Sequence, residues 1–445
     1  MNLKMCLLAG SFFLSLWAGG QELYQLTLQQ AIDLAMKNNS SVLISQNDLR
    51  SAKMKVRETA AIGLPQINGS ISYQDFIKQP VSLIPAEFFG GPKGTFSEIT
   101  FGTKQNASAE LQASQLIFDG SYIVGLQTTQ TFLELSKLKL QKTRLEVKEQ
   151  VSRSYAAALV AGKNRQILQK NVEFIEKNLQ ETRQLYAGGM LEEQDVEQLQ
   201  LLVSDMHNRL ASAERQLRIS HNMLKMQLGI AFTDSVRLTD NFEALIDTVL
   251  NSDLVSTAFS AEKNPDFRLA ATQEQLALLN LRNEKMKYYP SVNAFLSHSE
   301  NAYREEFDFL QNDKDWFPTT VWGMNVSIPI FSSFMRHYKV QQAKVQLENS
   351  ALIKKQARQN LSIAAMNARS ALKEAITGYK ISKDNLGLAV SIRDKTAIKY
   401  KEGMVSSLQL TQAETQLLSM QTAYILSMFN LMNAKVELEK IINDN

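Results

Sequence analysis

Cysteine is almost absent from this chain of 445 residues, which has one, Cys6, within an apolar N-terminal segment. The segment 1–20 predicts a secretory signal, because Lys4 precedes an apolar core and the small residues at 18–20 suit cleavage. A lipidated cysteine would follow that core, whereas Cys6 precedes it, so we expect Cys6 to be lost with the signal. The mature chain would then have no disulfide and no thiolate metal site.

An excess of charge of one sign is also missing. The chain has 48 basic and 45 acidic residues, which is too balanced to predict a nucleic-acid partner. Of its four histidines, His207 and His221 share a helix face but would lie about 21 Å apart, too far for one metal. No glycine-rich phosphate loop or nucleophile elbow is present. We therefore predict no enzyme activity and no cofactor.

Proline is confined to short parts of the chain. None occurs between Lys93 and Asn264 or after Pro329, and no apolar run after residue 20 is long enough for a transmembrane helix. These gaps predict helices over 119–185 and 332–400, each about 100 Å long at 1.5 Å per residue. Glycines then interrupt each helix, and the chain returns as a second one, which gives helical hairpins over 119–228 and 332–442.

The two hairpins are similar in sequence. The stretch that begins at Tyr186 and contains Gly188 and Gly189 recurs, about 214 residues later, as the stretch from Tyr400 that contains Gly403. Apolar residues step by seven along both returning helices, which is typical of a coiled-coil seam. The seams are Val196, Val203, Leu210, Leu217 and Leu224, and Leu410, Leu417, Tyr424, Leu431 and Leu438. We predict an internal duplication, although an ordinary elongated coiled coil would show the same periodicity.

Short alternating segments lie between the helices, at about 64–75, 105–117, 290–299 and 319–330. In the first, Ile67, Ile71 and Tyr73 alternate with polar residues, while Phe295 breaks the pattern in the third. An apolar and a polar face over about ten residues predict a transmembrane β-strand, although a half-buried soluble hairpin would alternate similarly. Aromatic residues near these segments are typical of a membrane girdle: Phe101, Phe118, Trp316, Phe317, Trp322 and Phe331.

Four strands cannot close a barrel in one chain. An open sheet with unpaired edges is not stable in lipid, and barrels need about eight strands or more. Two chains would supply eight strands with a filled interior, and three would supply twelve. Polar inward faces favour twelve strands around a lumen.

At this point the chain resembles the TolC-like outer membrane efflux proteins. The resemblance covers nearly the whole mature chain and is carried by the repeated helix–strand–loop–strand–helix plan. It also rests on Leu64-Pro65 and Tyr289-Pro290, which precede the first strand of each pair, and on the glycine-centred tips at 189–191 and 403–405.

The resemblance implies an α+β membrane protein of the outer membrane of a Gram-negative bacterium. Three chains would form a twelve-stranded β-barrel in lipid, continuous with a twelve-helix periplasmic α-barrel. A periplasmic adaptor would connect this exit duct to an inner-membrane RND or ABC-type transporter. Each chain would comprise the signal 1–20, a first repeat 21–228, an equatorial linker 229–251 and a second repeat 252–445.

The tips of the helical hairpins are the candidate docking site for the adaptor. By resemblance, the tip glycines and the exposed apolar side chains beside them would engage it, although the same residues could simply cap the helices. The candidate residues are Gly188, Gly189, Met190, Leu191, Gly403, Met404 and Val405.

The residues that follow the tips are candidates for a periplasmic aperture. In the family, acidic residues on the second tip helix often ring the closed mouth, but the matching positions here are Gln409 and Gln412. The first tip helix carries Glu192, Glu193 and Asp195 instead, which could repel one another across three chains or could compensate the helix dipole.

Two other functions fit the same patterns. A type I protein-secretion duct would have the same fold and a different pump, and a periplasmic coiled-coil protein without a pore would be water-soluble.

Overall fold

The structure is a computed structural model that describes residues 23–311 and 313–442, so the predicted signal lies outside the described residues. The described chain is mostly helical with a smaller share of strand, which agrees with the predicted α+β class. Its elements are β1 (Leu23–Leu26), α1 (Leu28–Asn38), α2 (Ser40–Ala61), β2 (Gln66–Asp75), β3 (Val81–Pro85), β4 (Phe96–Thr100), β5 (Gln105–Phe118), α3 (Gly120–Ala187), α4 (Glu193–Leu228), β6 (Ser235–Leu238), α5 (Phe242–Leu250), α6 (Pro265–Met286), β7 (Ser291–Arg304), β8 (Phe317–Ser327), α7 (Met335–Lys401) and α8 (Ser407–Ile442).

The chain divides into two compact units. The helical unit comprises the residues up to Ser45, Gln141–Asn264 and Asn360 onward, and the sheet unit comprises Gln46–Leu140 and Pro265–Gln359. Helices α3 and α7, of 68 and 67 residues, contribute to both units. No described helix is both long enough and apolar enough to cross a membrane.

The sheet unit contains a four-stranded antiparallel sheet in the order β2-β5-β7-β8. The central pair, β5 and β7, joins the two halves of the chain through a register that runs from Gln105 opposite Arg304 to Phe118 opposite Val292. Within the described chain, β2 and β8 each pair on one side only, so the sheet has two open edges.

The two faces of this sheet differ in polarity, as the alternation predicted. One cross-strand row places Ile67, Ala113, Leu296 and Trp322 side by side, and the next places Asn68, Gln112, Ser297 and Val321 on the opposite face. Large side chains on the apolar face are exposed, among them Ile67, Ile71, Leu111, Leu296, Trp322 and Met324. An apolar face that the unit itself leaves uncovered requires another apolar phase or partner.

Phe295, which interrupts the alternation of β7, lies opposite Gly323 on the polar face. A Cβ atom added to Gly323 would lie 2.8 Å from the Phe295 ring. The ring therefore covers the glycine backbone, and the irregular residue in the sequence is explained by its cross-strand partner.

Strands β7 and β8 end at residues other than those predicted. β7 continues past the expected 299 to Arg304, whose guanidinium pairs with Asp308 at 3.2 Å. Phe309 is buried beyond it, in edge contact with Tyr73 at 5.7 Å. β8 ends at Ser327 rather than at 330, because Pro329 has no N–H to donate to a neighbouring strand. The loop over 79–102 contains the unpredicted hairpin of β3 and β4.

In the helical unit, both predicted seams face the core. All five α8 seam residues are buried, with Leu410 and Leu431 fully enclosed. On α4 only the seam residue Leu224 is fully buried, and the other four seam residues are half-buried. The sequence predicts the returning helices over 191–228 and 404–442, but they begin two to three residues later, at Glu193 and Ser407, because the tip residues before them form turns. Burying these seams supplies the main stabilisation of helices whose other faces are polar.

The segment predicted as a linker, 229–251, is folded. It forms β6, which pairs in parallel with β1, and the short helix α5. The Asp240 carboxylate accepts hydrogen bonds from the Leu28 N–H at 2.7 Å and from the buried Tyr155 hydroxyl at 2.9 Å. This carboxylate ties the linker to the start of α1 and to the middle of α3.

The sharp turn after α4 depends on Gly229. Its φ is +69°, and an added Cβ would fall within van der Waals distance of the Asn38 carbonyl. By contrast, Gly378 lies inside α7 and an added Cβ would meet open space.

We predict that Gly229→Ala lowers the melting temperature of the purified protein, because a strained residue costs about 1–3 kcal/mol. The matched variant Gly378→Ala should raise it, since alanine favours a helix over glycine by about 1 kcal/mol. Thermal unfolding in detergent, followed by circular dichroism, measures both, and an unchanged Gly229→Ala melting point would contradict the close approach.

Candidate functional site at the helical tips

The two hairpin tips have the same backbone conformation. Gly189 and Gly403 have φ values of +77° and +68°, the left-handed region that favours glycine. In the first tip, the N–H groups of Gly189 and Met190 donate to Tyr186 and Leu185 at 2.8 and 3.0 Å. This is the Schellman arrangement that ends a helix, and the second tip repeats it from Tyr400.

The ends of α3 and α7 are joined just before the tips. The Tyr400 hydroxyl lies 2.9 Å from Thr182 Oγ1, and both side chains are buried. At the surface beside them, Lys401 pairs with Glu181 at 2.9 Å. The two helices are therefore held together by a buried hydroxyl pair, which is lost if the tips separate.

The starts of α4 and α8 are joined just after the tips. The buried Ser407 hydroxyl donates to the Asp195 carboxylate and lies 2.8 Å from Gln198 Oε1. An apolar cluster beneath these contacts includes residues from all four helices: Leu179, Leu199, Leu202, Tyr400, Leu410 and Leu418.

Of the predicted docking side chains, Met190 and Met404 are 74% and 69% exposed. Leu191 and Val405 are instead half-buried and pack against the apolar cluster, so the expectation that all four are exposed is wrong. Because each apolar pair straddles the turn, one member faces solvent and the other faces the core. An open groove between the tips is lined by Met190, Glu192, Asp195, Gln198, Ser406 and Leu408.

The predicted aperture residues occupy different environments. Asp195 is half-buried and accepts from the Glu192 N–H at 3.3 Å as well as from Ser407, so it caps α4. Glu192 and Glu193 are exposed, as are Gln409 and Gln412 on α8. The Asp195 carboxylate thus already accepts two hydrogen bonds from groups of its own chain.

A buried acid near the tips was missed in the sequence. Glu414, only 4% exposed, follows the seam residue Leu410 by one helical turn, and this position on an apolar stripe was the available signal. Its partner Arg393 lies 3.5 Å away and also stacks on Phe174, with 4.2 Å from guanidinium to ring centroid.

The ion pair does not fully compensate for the burial of Glu414. Burial raises the pKa of this carboxyl to about 6, although Arg393 opposes the shift and Asp394 reinforces it. A buried charge whose partner is shared with a second carboxylate is costly. Arg393 also contacts Asp394 at 2.7 Å, so it keeps an anionic partner if Glu414 is neutral.

The predicted girdle aromatics lie in or near the sheet unit. Phe101, Phe317, Trp322 and Phe331 are exposed, whereas Trp316 is half-buried against Phe309 at 6.5 Å between ring centroids. Trp322 lies in the middle of β8 rather than at its end. Within residues 23–311 and 313–442, no group of three or more His, Cys, Asp or Glu residues could hold a metal ion.

Known proteins resemble this chain along nearly its whole length. The model of the family described as outer membrane efflux protein matches residues 31–229 and 260–444. Nodulation protein T of Rhizobium leguminosarum bv. trifolii is 20% identical over 380 residues, which cover 84% of this chain and 76% of that protein.

Solved structures show the same fold at low identity. The structure of CusC, a protein that undergoes conformational changes accompanying folding and transmembrane channel formation, superposes with a TM-score of 0.73 at 16% identity, over 94% of this chain and 92% of that one. A membrane protein from Pseudomonas aeruginosa gives a TM-score of 0.74 at 14% identity, with 93% of each chain covered.

The burial of Glu414 predicts a pH dependence. Protonated Glu414 stabilises the folded state fully below its ordinary pKa near 4.5, and this contribution is lost as the pH rises through about 6. We expect Glu414→Gln to be more stable than the wild type at pH 7.5 by roughly 2 kcal/mol. The difference should vanish near pH 4.5.

Melting temperatures of both proteins across this pH range provide the measurement. Glu402 is exposed, so the variant Glu402→Gln is the control, and its melting temperature should follow that of the wild type at every pH. A constant offset between Glu414→Gln and the wild type at all pH values would show that Glu414 does not titrate in this window.

Proposed function

Because the chain belongs to the outer membrane efflux protein family, we propose that three copies form a passive exit duct for an inner-membrane pump. Members of this family are outer membrane channels that extend into the periplasm, and they are not enzymes. The resemblance drawn from the sequence is thereby confirmed. The observation that carries the proposal is the four-stranded sheet with one apolar face and two open edges.

The open edges support a barrel shared between chains. Backbone N–H and C=O groups cannot remain unpaired in lipid, so β8 of one copy pairs with β2 of the next. Three copies close twelve strands, with the apolar face toward outer-membrane lipid and the polar face toward a lumen. The exposed apolar face also argues against a water-soluble coiled-coil protein.

The helical hairpins support a periplasmic tunnel. Each chain supplies four long helices, α3, α4, α7 and α8, so three chains supply twelve. The two halves, 21–228 and 252–445, share a helix, two long strands and two long helices in the same order, as well as their tip geometry, which favours an origin by duplication. The residues 229–251 then form the belt around the tunnel.

The tips are the proposed docking site for a periplasmic adaptor, which connects the duct to an RND or ABC-type transporter. Exposed Met190 and Met404 flank two equivalent turns and offer apolar, adaptable contacts to a helical partner. In the trimer, the exposed Glu192 and Glu193 carboxylates then repel those of the other two copies at the aperture. Asp195 adds to this repulsion only when its hydrogen bond from Ser407 breaks.

The oligomeric state tests the barrel. We expect full-length protein extracted from membranes in detergent to have a protein mass of three chains of about 50 kDa each. Light scattering with correction for bound detergent gives that mass. A water-soluble monomer or dimer would contradict the shared barrel.

The docking role is tested at the two methionines. We expect the double variant Met190→Glu, Met404→Glu to abolish efflux, because charges are placed on the apolar contact. The matched variant Met190→Leu, Met404→Leu keeps the contact apolar and should retain efflux.

Efflux is measured as the drug susceptibility of a strain that relies on this protein, alongside the detergent-corrected mass of each variant. If the glutamate variant forms a trimer of normal mass and still gives full drug resistance, the two methionines are not part of the docking surface.

A further inference from the structure

The polar face of the sheet carries a single charged side chain. On this face, strands β2, β5, β7 and β8 carry serine, threonine, asparagine, glutamine and a few glycine, apolar or aromatic residues. The one charged residue on this face of the four strands is Glu110 on β5. Glu110 lies in the middle of the sheet rather than at a strand end.

Short hydroxyl side chains surround Glu110. Its cross-strand row contains Ser70, Ser299 and Thr319, which are all short and uncharged. Ser297 donates to Glu110 Oε1 at 2.6 Å. Among the described residues, no Lys or Arg pairs with Glu110, so its charge is neutralised by no neighbour.

The opposite face supplies a natural comparison. Glu300 on β7 lies in the adjacent register row, between Ala109 and Pro318, and so projects to the apolar face. Two glutamates at nearly the same height in one sheet thus point to opposite sides.

We propose that Glu110 sets the charge selectivity of the barrel and makes it prefer cationic solutes. This inference rests on the proposed trimer, in which three Glu110 carboxylates form one ring on an otherwise uncharged wall. A ring of carboxylates in a pore attracts cations, and a low-dielectric wall strengthens its field. Asp195, by contrast, is occupied by Ser407 and the Glu192 N–H within its own chain.

The test measures the reversal potential of the full-length protein in planar bilayers under a KCl gradient. Salt is kept low, since screening at 0.1 M acts over about 10 Å. We expect Glu110→Gln, which still accepts from Ser297, to lower the K⁺/Cl⁻ permeability ratio by about two-fold or more. Glu300→Gln should leave the ratio unchanged.

A second variant separates charge from local structure. The double variant Glu110→Gln, Ser299→Glu moves the carboxylate to the cross-strand partner in the same row. We expect this double variant to restore the wild-type K⁺/Cl⁻ permeability ratio. A purely structural role of Glu110 would not be rescued in this way.

The outcomes are distinct. A wild-type ratio in Glu110→Gln overturns the inference while the channel itself stands. A change in Glu300→Gln alone overturns the assignment of the faces. A wild-type protein that forms trimers but never conducts overturns the proposed function.

Discussion

Unpaired backbone groups at the two edges of one sheet are the constraint on which the rest of this molecule depends. β2 and β8 expose N–H and C=O groups along about ten residues each, beside a face of isoleucine, leucine and tryptophan side chains. Water would form hydrogen bonds with the backbone groups of the edges but would leave the apolar face exposed. Lipid would cover the apolar face but would leave those backbone groups unpaired. In the trimer proposed above, pairing with further copies would satisfy both and would also enclose the polar face and the carboxylate of Glu110.

The helical unit solves a different problem, since its long helices are too polar for isolated stability. Their seams are buried against one another, and polar contacts such as Thr182 with Tyr400 fix how the ends of α3 and α7 meet. Glu414 costs stability at neutral pH, because it is buried and its partner Arg393 is shared with Asp394.

Much of the fold could be read from local pattern. The proline gaps located the long helices, and period-two alternation located four strands and their faces. The hairpin of β3 and β4 and the pairing of β1 with β6 were missed, because short strands leave little periodic signal. At the tips the exposure of Met190 and Met404 was predicted, while the partial burial of Leu191 and Val405 was not, since a turn decides which neighbour faces the core.

The sequence by itself determined the features that depend on neighbouring residues: the helix-ending glycines at 189 and 403, and the polar and apolar sides of each strand. Only the tertiary structure decided which residues meet across the chain. Asp195 is bound by Ser407, Phe295 covers Gly323, and Glu110 and Glu300 face opposite ways in adjacent rows. Backbone conformation is set by local sterics, whereas these partners depend on a register between segments up to about two hundred residues apart.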